Sequence, residues 1–251
     1  MTKKNIKNIQ EKKTVLVTGI TGGIGRVIAL RFAREGWDVV GQFCSSSDQA
    51  KVIEKQIKKM GARCSLVQAD LLSEEQLQQL IKACSHFSID CLVNNAGSYV
   101  EKKQFAELSV KNLTDTFMLN TIAPILLTSH IFEQMKKNGG GRIINISSIA
   151  AKYGGSAYSL HYGASKRALE GLTKTLAREG AGHNILINTV RPGMIDTNMH
   201  KLFPKNLEER IRLIALKKMG RPQDIAEMVF YLGSEHNQYI TNEIMTVAGG
   251  E

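Results

Sequence analysis

Tyr162 and Lys166 are the two side chains in this sequence whose types and spacing best suit the transfer of a proton. They fall in a stretch of helical pattern, where an i,i+4 spacing puts both on one face. A tyrosine phenol ordinarily has a pKa near ~10, too high for easy proton exchange at neutral pH. A neighbouring ammonium favours the phenolate and moves the group toward the range useful in acid–base work. Such pairs also occur on plain helix surfaces, so the surroundings decide. Tyr153 and Tyr158 have no such partner, since Ala157 and Tyr162 stand four residues on. Ser147-Ser148 closes an apolar strand fourteen residues before Tyr162. Ligands of open α/β sheets bind beyond the carboxyl ends of the strands, which places Ser148 to donate a hydrogen bond to a substrate carbonyl.

A second constellation is Thr18-Gly19-Ile20-Thr21-Gly22-Gly23-Ile24-Gly25, between an apolar strand and a helix. Gly19 permits a tight turn, Gly23 lets backbone approach a pyrophosphate, and Gly25 lets the helix pack close to the sheet. The exposed N–H groups and the positive helix end suit phosphate, and Thr21 and Ile24 belong to the same cradle. The spacing is a variant of G-x-G-x-x-G, and a purely structural turn could use the same glycines. Their place between strand and helix favours a dinucleotide site. An acidic residue ending the second strand would bind the adenosine ribose and repel a 2′-phosphate. Here Phe43 stands in that place, and Asp38 lies at the strand's other end. Ser45, Ser46 and Ser47 can donate to a phosphate, although no arginine accompanies them. NADP(H) is therefore favoured over NAD(H), the alternative being that Ser46 or Ser47 only caps the next helix.

Asn94-Asn95-Ala96-Gly97 ends another strand, so Asn94 and Gly97 are expected to line the same crevice. Pro124 lies inside a long helical pattern. It lacks an N–H, so the carbonyl of Asn120 loses its helical partner. That carbonyl either holds a water on a path to Lys166 or marks a simple kink.

The elements that must position these groups alternate along the chain. Strands are expected at Thr14–Val17, Val39–Phe43, Cys64–Ala69, Ile89–Val93, Arg142–Ile146, Ile185–Val190 and Met245–Val247. Helices are expected at Val27–Ala33, Asp48–Met60, Glu74–Cys84 with Ser73 as N-cap, Lys111–Lys137 and Tyr158–Glu179. This alternation predicts an α/β fold, a single-domain Rossmann-like doubly wound parallel sheet with helices on both faces. Residues 1–12 read as a flexible basic leader and 13–251 as the folded domain.

The 251 residues are 43% hydrophobic and 22% charged, which excludes a disordered chain. No apolar run reaches the ~18 residues of a membrane span, and no apolar segment follows the basic N-terminus as in a secretory signal. Cys44, Cys64, Cys84 and Cys91 make no metal-binding spacing and read as reduced thiols of a cytoplasmic protein. No metal is expected. The net charge of +10 draws on five lysines against one glutamate in residues 1–13. No aromatic-basic platform accompanies it, so nucleic acid is not the expected partner, whereas an anionic ligand is.

Taken together, Thr18–Gly25, Asp70-Leu71, Asn94–Gly97, Asn120, Ser148, Tyr162–Lys166 and Arg191-Pro192-Gly193 with Thr197 resemble the short-chain dehydrogenase/reductase family, over Lys13 to Gly250. Met219–Ala226 and the ending Tyr239-Ile240-Thr241…Gly249-Gly250 resemble its 3-oxoacyl-[acyl-carrier-protein] reductase branch of fatty acid biosynthesis. The resemblance implies a catalytic tetrad of Asn120, Ser148, Tyr162 and Lys166. Tyr162 would act as general acid and Ser148 would polarise the carbonyl. Lys166 would hold the nicotinamide ribose, and Asn120 a relay water. It further implies that Asp70 contacts adenine, with Leu71, Asn94, Ala96, Gly97, Pro192, Gly193, Ile195 and Thr197 near the cofactor. Residues Met194–Leu207 would form a mobile substrate lid. The implied reaction is NADPH-dependent reduction of a 3-oxoacyl thioester, on acyl carrier protein or CoA, to the 3-hydroxyacyl form by a homotetramer. Alternatives are another alcohol or ketone (a sugar, steroid or secondary metabolite) or a cofactor-binding regulator without turnover. The chain departs from the family at Gly22 and Ser45, where NADP-using relatives often carry arginine. It departs at Asn242 and Ala248 near the C-terminus, and at Asn138 and His183, where relatives dock the carrier through arginines. Lys136, Lys137 and Arg178 lie nearby in sequence.

Overall fold

The computed structural model describes residues 12–198 and 207–251. Seven strands pair in parallel: β1 (Thr14–Val17), β2 (Asp38–Phe43), β3 (Cys64–Gln68), β4 (Cys91–Asn94), β5 (Gly141–Ile146), β6 (Ile185–Pro192) and β7 (Ile244–Val247). Their order is β3-β2-β1-β4-β5-β6-β7. The chain therefore moves outward from β1 on one side, crosses back, and moves outward from β4 on the other. The loops leaving β1 and β4 diverge, which opens a crevice at the carboxyl ends of adjacent strands.

The described α-helices are α1 (Gly23–Arg34), α2 (Ser47–Lys59), α3 (Glu74–Cys84), α4 (Val110–Phe117), α5 (Ala123–Lys137), α6 (Ile149–Tyr153), α7 (Leu160–Ala181), α8 (Leu207–Leu213) and α9 (Pro222–Gly233). Side chains alternate across a strand, so β1 feeds two cores. Val15 and Val17 pack with Ile28 and Phe32 of α1, Ile53 of α2 and Val229 of α9. Leu16 packs on the opposite face with Leu77 and Leu80 of α3, Leu127 and Ile131 of α5 and Ala177 of α7. Burial on both faces explains why the central strands read as unbroken apolar runs. Ser73 caps α3 as expected, its hydroxyl accepting from the Gln76 amide at 3.3 Å. Cys64, Cys84 and Cys91 are buried and Cys44 is exposed, all of them unpaired. Burial pushes the Cys64 and Cys84 thiols up to about 12.

Several expected bounds move. The helix expected over 111–137 is two helices joined by a π-turn at Met118–Ile122. Pro124 sits in the first turn of α5, directly behind the π-turn, so the backbone bond that its missing N–H removes falls at that junction. The helix expected from Tyr158 starts at Leu160, and the strand expected from Ile89 starts at Cys91. The Asp90 carboxylate accepts from Lys13 Nζ at 2.9 Å and from the Thr14 amide at 2.8 Å, and ladder pairing begins after it. Helices α6, α8 and α9 carried no periodic signal strong enough to assign. Most of the expected leader, residues 1–11, and residues 199–206 of the expected lid lie outside the described residues. Among the described residues, no helix is long and apolar enough to cross a membrane.

Phe32 is fully buried and meets Trp37 and Phe230 edge to face, each at 5.1 Å between centroids. Phe32→Ala is expected to lower the unfolding free energy by about 3–5 kcal/mol, read from a denaturant titration.

Candidate active site

The crevice between the β1 and β4 loops widens into a cleft of about 2150 Å³. One wall is the glycine turn. Gly19 has φ +66°, a left-handed conformation that glycine adopts without steric cost. Its amide donates to Gln42 Oε1 at 2.8 Å, and Gln42 Nε2 donates to the Ala69 carbonyl at 2.7 Å. One buried side chain on β2 thus ties the turn to the loop carrying Asp70 and Leu71. A Cβ on Gly25 would stand 2.3 Å from the Gly19 carbonyl oxygen and 2.5 Å from Asn95 Nδ2. A Cβ on Gly23 would stand 2.9 Å from Thr197 Cγ2. Helix α1 has no side-chain cap and no acidic residue in its first turn, so its N-terminal amides face the cleft uncompensated. That is the arrangement that receives a pyrophosphate, and the residues present fit a dinucleotide.

The turn is clasped from β4. The Thr18 hydroxyl accepts from the Asn95 and Ala96 amides, both at 3.0 Å. Asn95 Nδ2 donates back to the Thr18 carbonyl at 2.8 Å and to the Gly19 carbonyl at 3.3 Å.

The opposite wall carries the proton-transfer candidates. Tyr162 and Lys166 share the inward face of α7, and both are buried. Lys166 Nζ donates to the Ile146 carbonyl at 2.8 Å, and Ser148 is hydrogen-bonded to the Tyr162 phenol. The Tyr99 ring lies on that of Tyr162 with centroids 4.4 Å apart. Tyr99 is turned in by an unusual backbone: Val100 has φ +59°, and the Glu101 amide closes on the Tyr99 carbonyl at 2.7 Å. The buried His161 holds this loop through Nε2, which meets the Tyr99 and Glu101 carbonyls at 3.2 and 2.9 Å.

The electrostatics differ from the expectation that an ammonium acidifies the phenol. Burial raises the Tyr162 pKa, Tyr99 raises it further, and only the Ser148 hydrogen bond opposes them. Burial lowers Lys166 to about 8. Nζ stands 5.9 Å from the Tyr162 ring centroid and spends a proton on Ile146, so desolvation outweighs charge–charge help in the site as it stands.

Most of the expected site residues converge. Gly19, Thr21, Gly23, Ile24 and Gly25 line the cleft from the turn. Ser45, Asp70 and Leu71 line it from the ends of β2 and β3. Ala96 and Gly97 line it from β4, Ser148 from β5, Tyr162 and Lys166 from α7, and Pro192, Gly193, Ile195 and Thr197 from β6. Three expected residues do not line it. Asn94 turns away, its Nδ2 donating to Thr128 Oγ1 and Asn145 Oδ1 at 2.9 Å each, because alternation along β4 sends its side chain behind the sheet. Ser46 precedes α2, and its hydroxyl makes no capping bond. Asn120 lies behind Gly97, where an added Cβ would stand 2.7 Å from Asn120 Oδ1 and 2.6 Å from Lys166 Nζ. The Asn120 side chain clasps Ser98, donating to its carbonyl at 2.8 Å and accepting from its amide at 3.1 Å. Sequence reasoning missed Asn95, Gln42, Tyr99 and Arg26. The neighbouring pair Asn94-Asn95 signalled that one of the two faces the turn but not which, since strand alternation sends only one of two adjacent side chains there.

Comparison with known proteins agrees with this geometry. The family described as enoyl-(acyl carrier protein) reductase matches residues 19–251. A 3-oxoacyl-[acyl-carrier-protein] reductase of Aquifex aeolicus is 35% identical over 95% of this chain and 96% of its own. Among solved structures, a blue fluorescent protein from a metagenomic library in complex with NADPH has a TM-score of 0.89. It is 33% identical, over 95% of this chain and 97% of its own. A 7α-hydroxysteroid dehydrogenase complexed with NADH and 7-oxo glycochenodeoxycholic acid has a TM-score of 0.88. It is 31% identical, over 95% of this chain and 93% of its own.

The depressed Lys166 fixes a pH dependence. Below about 8 this lysine is charged in both folded and unfolded chains. Between about 8 and its ordinary 10.5 only the unfolded chain holds the proton, so this group makes stability rise with pH. Denaturant midpoints of the cofactor-free protein at pH 7.5 and 9.5 are expected to differ less favourably for Lys166→Met than for wild type, because the substitution removes that rise.

Proposed function

The chain belongs to the short-chain dehydrogenase/reductase family, a family of NAD(P)-dependent oxidoreductases, and from that premise we propose that it reduces a 3-oxoacyl thioester to the 3-hydroxyacyl form with NADPH. The observation that carries this reading is the meeting of Ser148, Tyr162 and Lys166 in one cleft with an uncapped, glycine-cradled helix terminus.

The amides of Gly23 to Gly25 hold the pyrophosphate, Asp70 and Leu71 border the adenine end, and Lys166 reaches the nicotinamide ribose. The nicotinamide, when bound, supplies the hydride. Ser148 orients and polarises the substrate carbonyl. Tyr162 donates the proton to the substrate oxygen. Its raised pKa keeps it protonated beforehand, as an acid should be, and the substrate oxygen is the stronger base only as negative charge develops there. Asn120, with its side chain held on Ser98, acts through its main chain to place a relay water toward Lys166. NADPH is preferred over NADH because no carboxylate ends β2, Ser45 lines the cleft, and Arg26, whose Nη2 donates to Gln56 Oε1 at 3.2 Å, lines the same cleft from α1. Free thiols suit a reducing, cytoplasmic compartment.

The carrier-bound substrate draws its support from the Aquifex aeolicus relative. Asn138 and His183, at the expected docking positions, are exposed, and so are Lys137 and Arg178 near them, which offer the positive charge an acidic carrier requires. A homotetramer is supported by partly exposed apolar side chains on α4, α5 and α7: Val110, Leu113, Ile125, Leu126 and Leu160. The similarity to a hydroxysteroid dehydrogenase favours a second reading, a reductase of another ketone with the same residues in the same roles.

Tyr162→Phe is expected to lower the rate of acetoacetyl-CoA reduction by about 10²–10⁴-fold while NADPH still binds. Undiminished turnover would remove the proton-donor assignment. In a panel of ketones and thioesters assayed with NADPH and NADH in parallel, acetoacetyl thioesters with NADPH are expected to give the highest kcat/KM.

A further inference from the structure

The Glu170 carboxylate is buried directly behind the cleft, with a side chain only 3% exposed. It takes four hydrogen bonds. Oε1 accepts from Ser147 Oγ at 2.7 Å and Arg191 Nε at 2.8 Å. Oε2 accepts from Arg191 Nη2 at 2.8 Å and Arg167 Nη1 at 3.3 Å. The guanidinium–carboxylate fork is two-pronged and largely dehydrated, so it fixes both direction and distance. Its three anchor points matter more than its strength. Glu170 lies one turn beyond Lys166 on the inward face of α7, which also carries Tyr162. Ser147 immediately precedes Ser148, and Arg191 immediately precedes Pro192 and Gly193 of the cleft wall. Arg191 also donates to Thr246 Oγ1 of β7 at 3.3 Å.

A buried ion pair is poor evidence for stability, since packed apolar side chains of similar volume often serve as well. What such a pair supplies is register among the elements it joins. We infer that Glu170 is a positioning residue, holding Ser148 against the Tyr162–Lys166 face while Arg191 holds the Pro192–Thr197 loop to the same helix. The inference rests on the assignment of Ser148 and Tyr162 above. No proton passes through Glu170 and it touches no reacting atom. Without it, α7 and the end of β5 keep their hydrophobic contacts but lose a fixed offset, and Ser148 spends less time where a carbonyl oxygen must sit. Even small misplacements of such groups are costly to rate.

Three variants test this. Ser147→Ala deletes only the bond to β5. Glu170→Gln keeps shape and removes charge. Glu170→Met combined with Arg191→Met replaces the pair by apolar groups and leaves no unpaired charge. In the double variant the denaturant midpoint is expected to stay near that of wild type. Its kcat for acetoacetyl-CoA is expected to fall tenfold or more, while the NADPH Kd, which depends on the loosened Pro192–Thr197 loop, rises by a smaller factor. Ser147→Ala and Glu170→Gln are expected to fall between. A readout independent of turnover is amide exchange at Ser147, which donates to the Val190 carbonyl at 2.8 Å, and at Gly193, which donates to the Val247 carbonyl at 3.0 Å. Both are expected to exchange at least tenfold faster in the double variant, and in Ser147→Ala the amide at position 147 is expected to do the same. Wild-type kcat and wild-type exchange in any folded variant of the three, or a loss confined to the NADPH Kd, overturns the inference. Tyr162→Phe run alongside separates the two failures. Full activity in that variant sinks the assignment of the acid, whereas inactivity there with unaffected Glu170 variants sinks only the positioning role.

Discussion

The reciprocal clasp between Thr18 and Asn95 is the constraint on which the rest of the cleft depends. At the point where the strand order reverses, the loops leaving β1 and β4 run apart, and the last backbone bond between them is that of the Thr18 amide to the Val93 carbonyl at 3.1 Å. Beyond it four hydrogen bonds hold the two together, two into the Thr18 hydroxyl and two out of the Asn95 side-chain amide. Because Asn95 Nδ2 also fills the space beside Gly25, the clasp sets how closely α1 packs on the sheet. The same contact therefore locates the phosphate-facing helix end and the β4 loop that leads to Gly97, Lys166 and Asn120. Gln42 extends the arrangement sideways to the Asp70 loop.

Behind the cleft runs a second, fully buried polar layer. Asn94 bonds Thr128 and Asn145, Asn145 Nδ2 bonds Thr173 at 3.2 Å, and Thr173 meets Thr189 at 2.5 Å. This seam crosses β4, β5 and β6 and joins them to α5 and α7. Burying a polar group is costly unless it is paired, and in this seam Asn94 Oδ1 has no partner among the described residues while the bonds that form are directional, so the seam tolerates fewer alternative registers than an apolar one. The helices that carry Asn120 and Tyr162 are thus held to the strand ends by directional contacts. Hydrophobic packing alone would let them slide.

Much of this was legible in the sequence for identifiable reasons. Strand–helix alternation, glycine spacing and the Tyr162–Lys166 interval are local patterns, and each survives as a local pattern in the structure. The division of the long helix was half legible. Pro124 announced a break near Asn120, but not that an extra residue in a π-turn would absorb it. Asn94 and Asn95 could not be told apart by residue type, because only the phase of the strand decides which side chain faces the turn. Tyr99 was invisible because its approach to Tyr162 depends on a left-handed Val100 and on His161, contacts with no sequence periodicity. The acidification expected of the phenol failed for a related reason: the sequence supplies the charges, but only the fold determines how little water surrounds them.

The strand order also bears on how the molecule is made. β1 emerges first from the ribosome yet ends at the centre of the sheet, and its second neighbour follows about 75 residues later, with Val15 opposite Cys91. At roughly 5–20 residues per second, synthesis leaves one edge of that strand open for several seconds. The nucleotide-cradling half, β1 to β3, can assemble in that interval, and the half bearing the phenol and the ammonium must then dock on an exposed apolar edge. Nascent chains of this topology are therefore most exposed to mispairing just before β4 emerges, long before any active site exists to be lost.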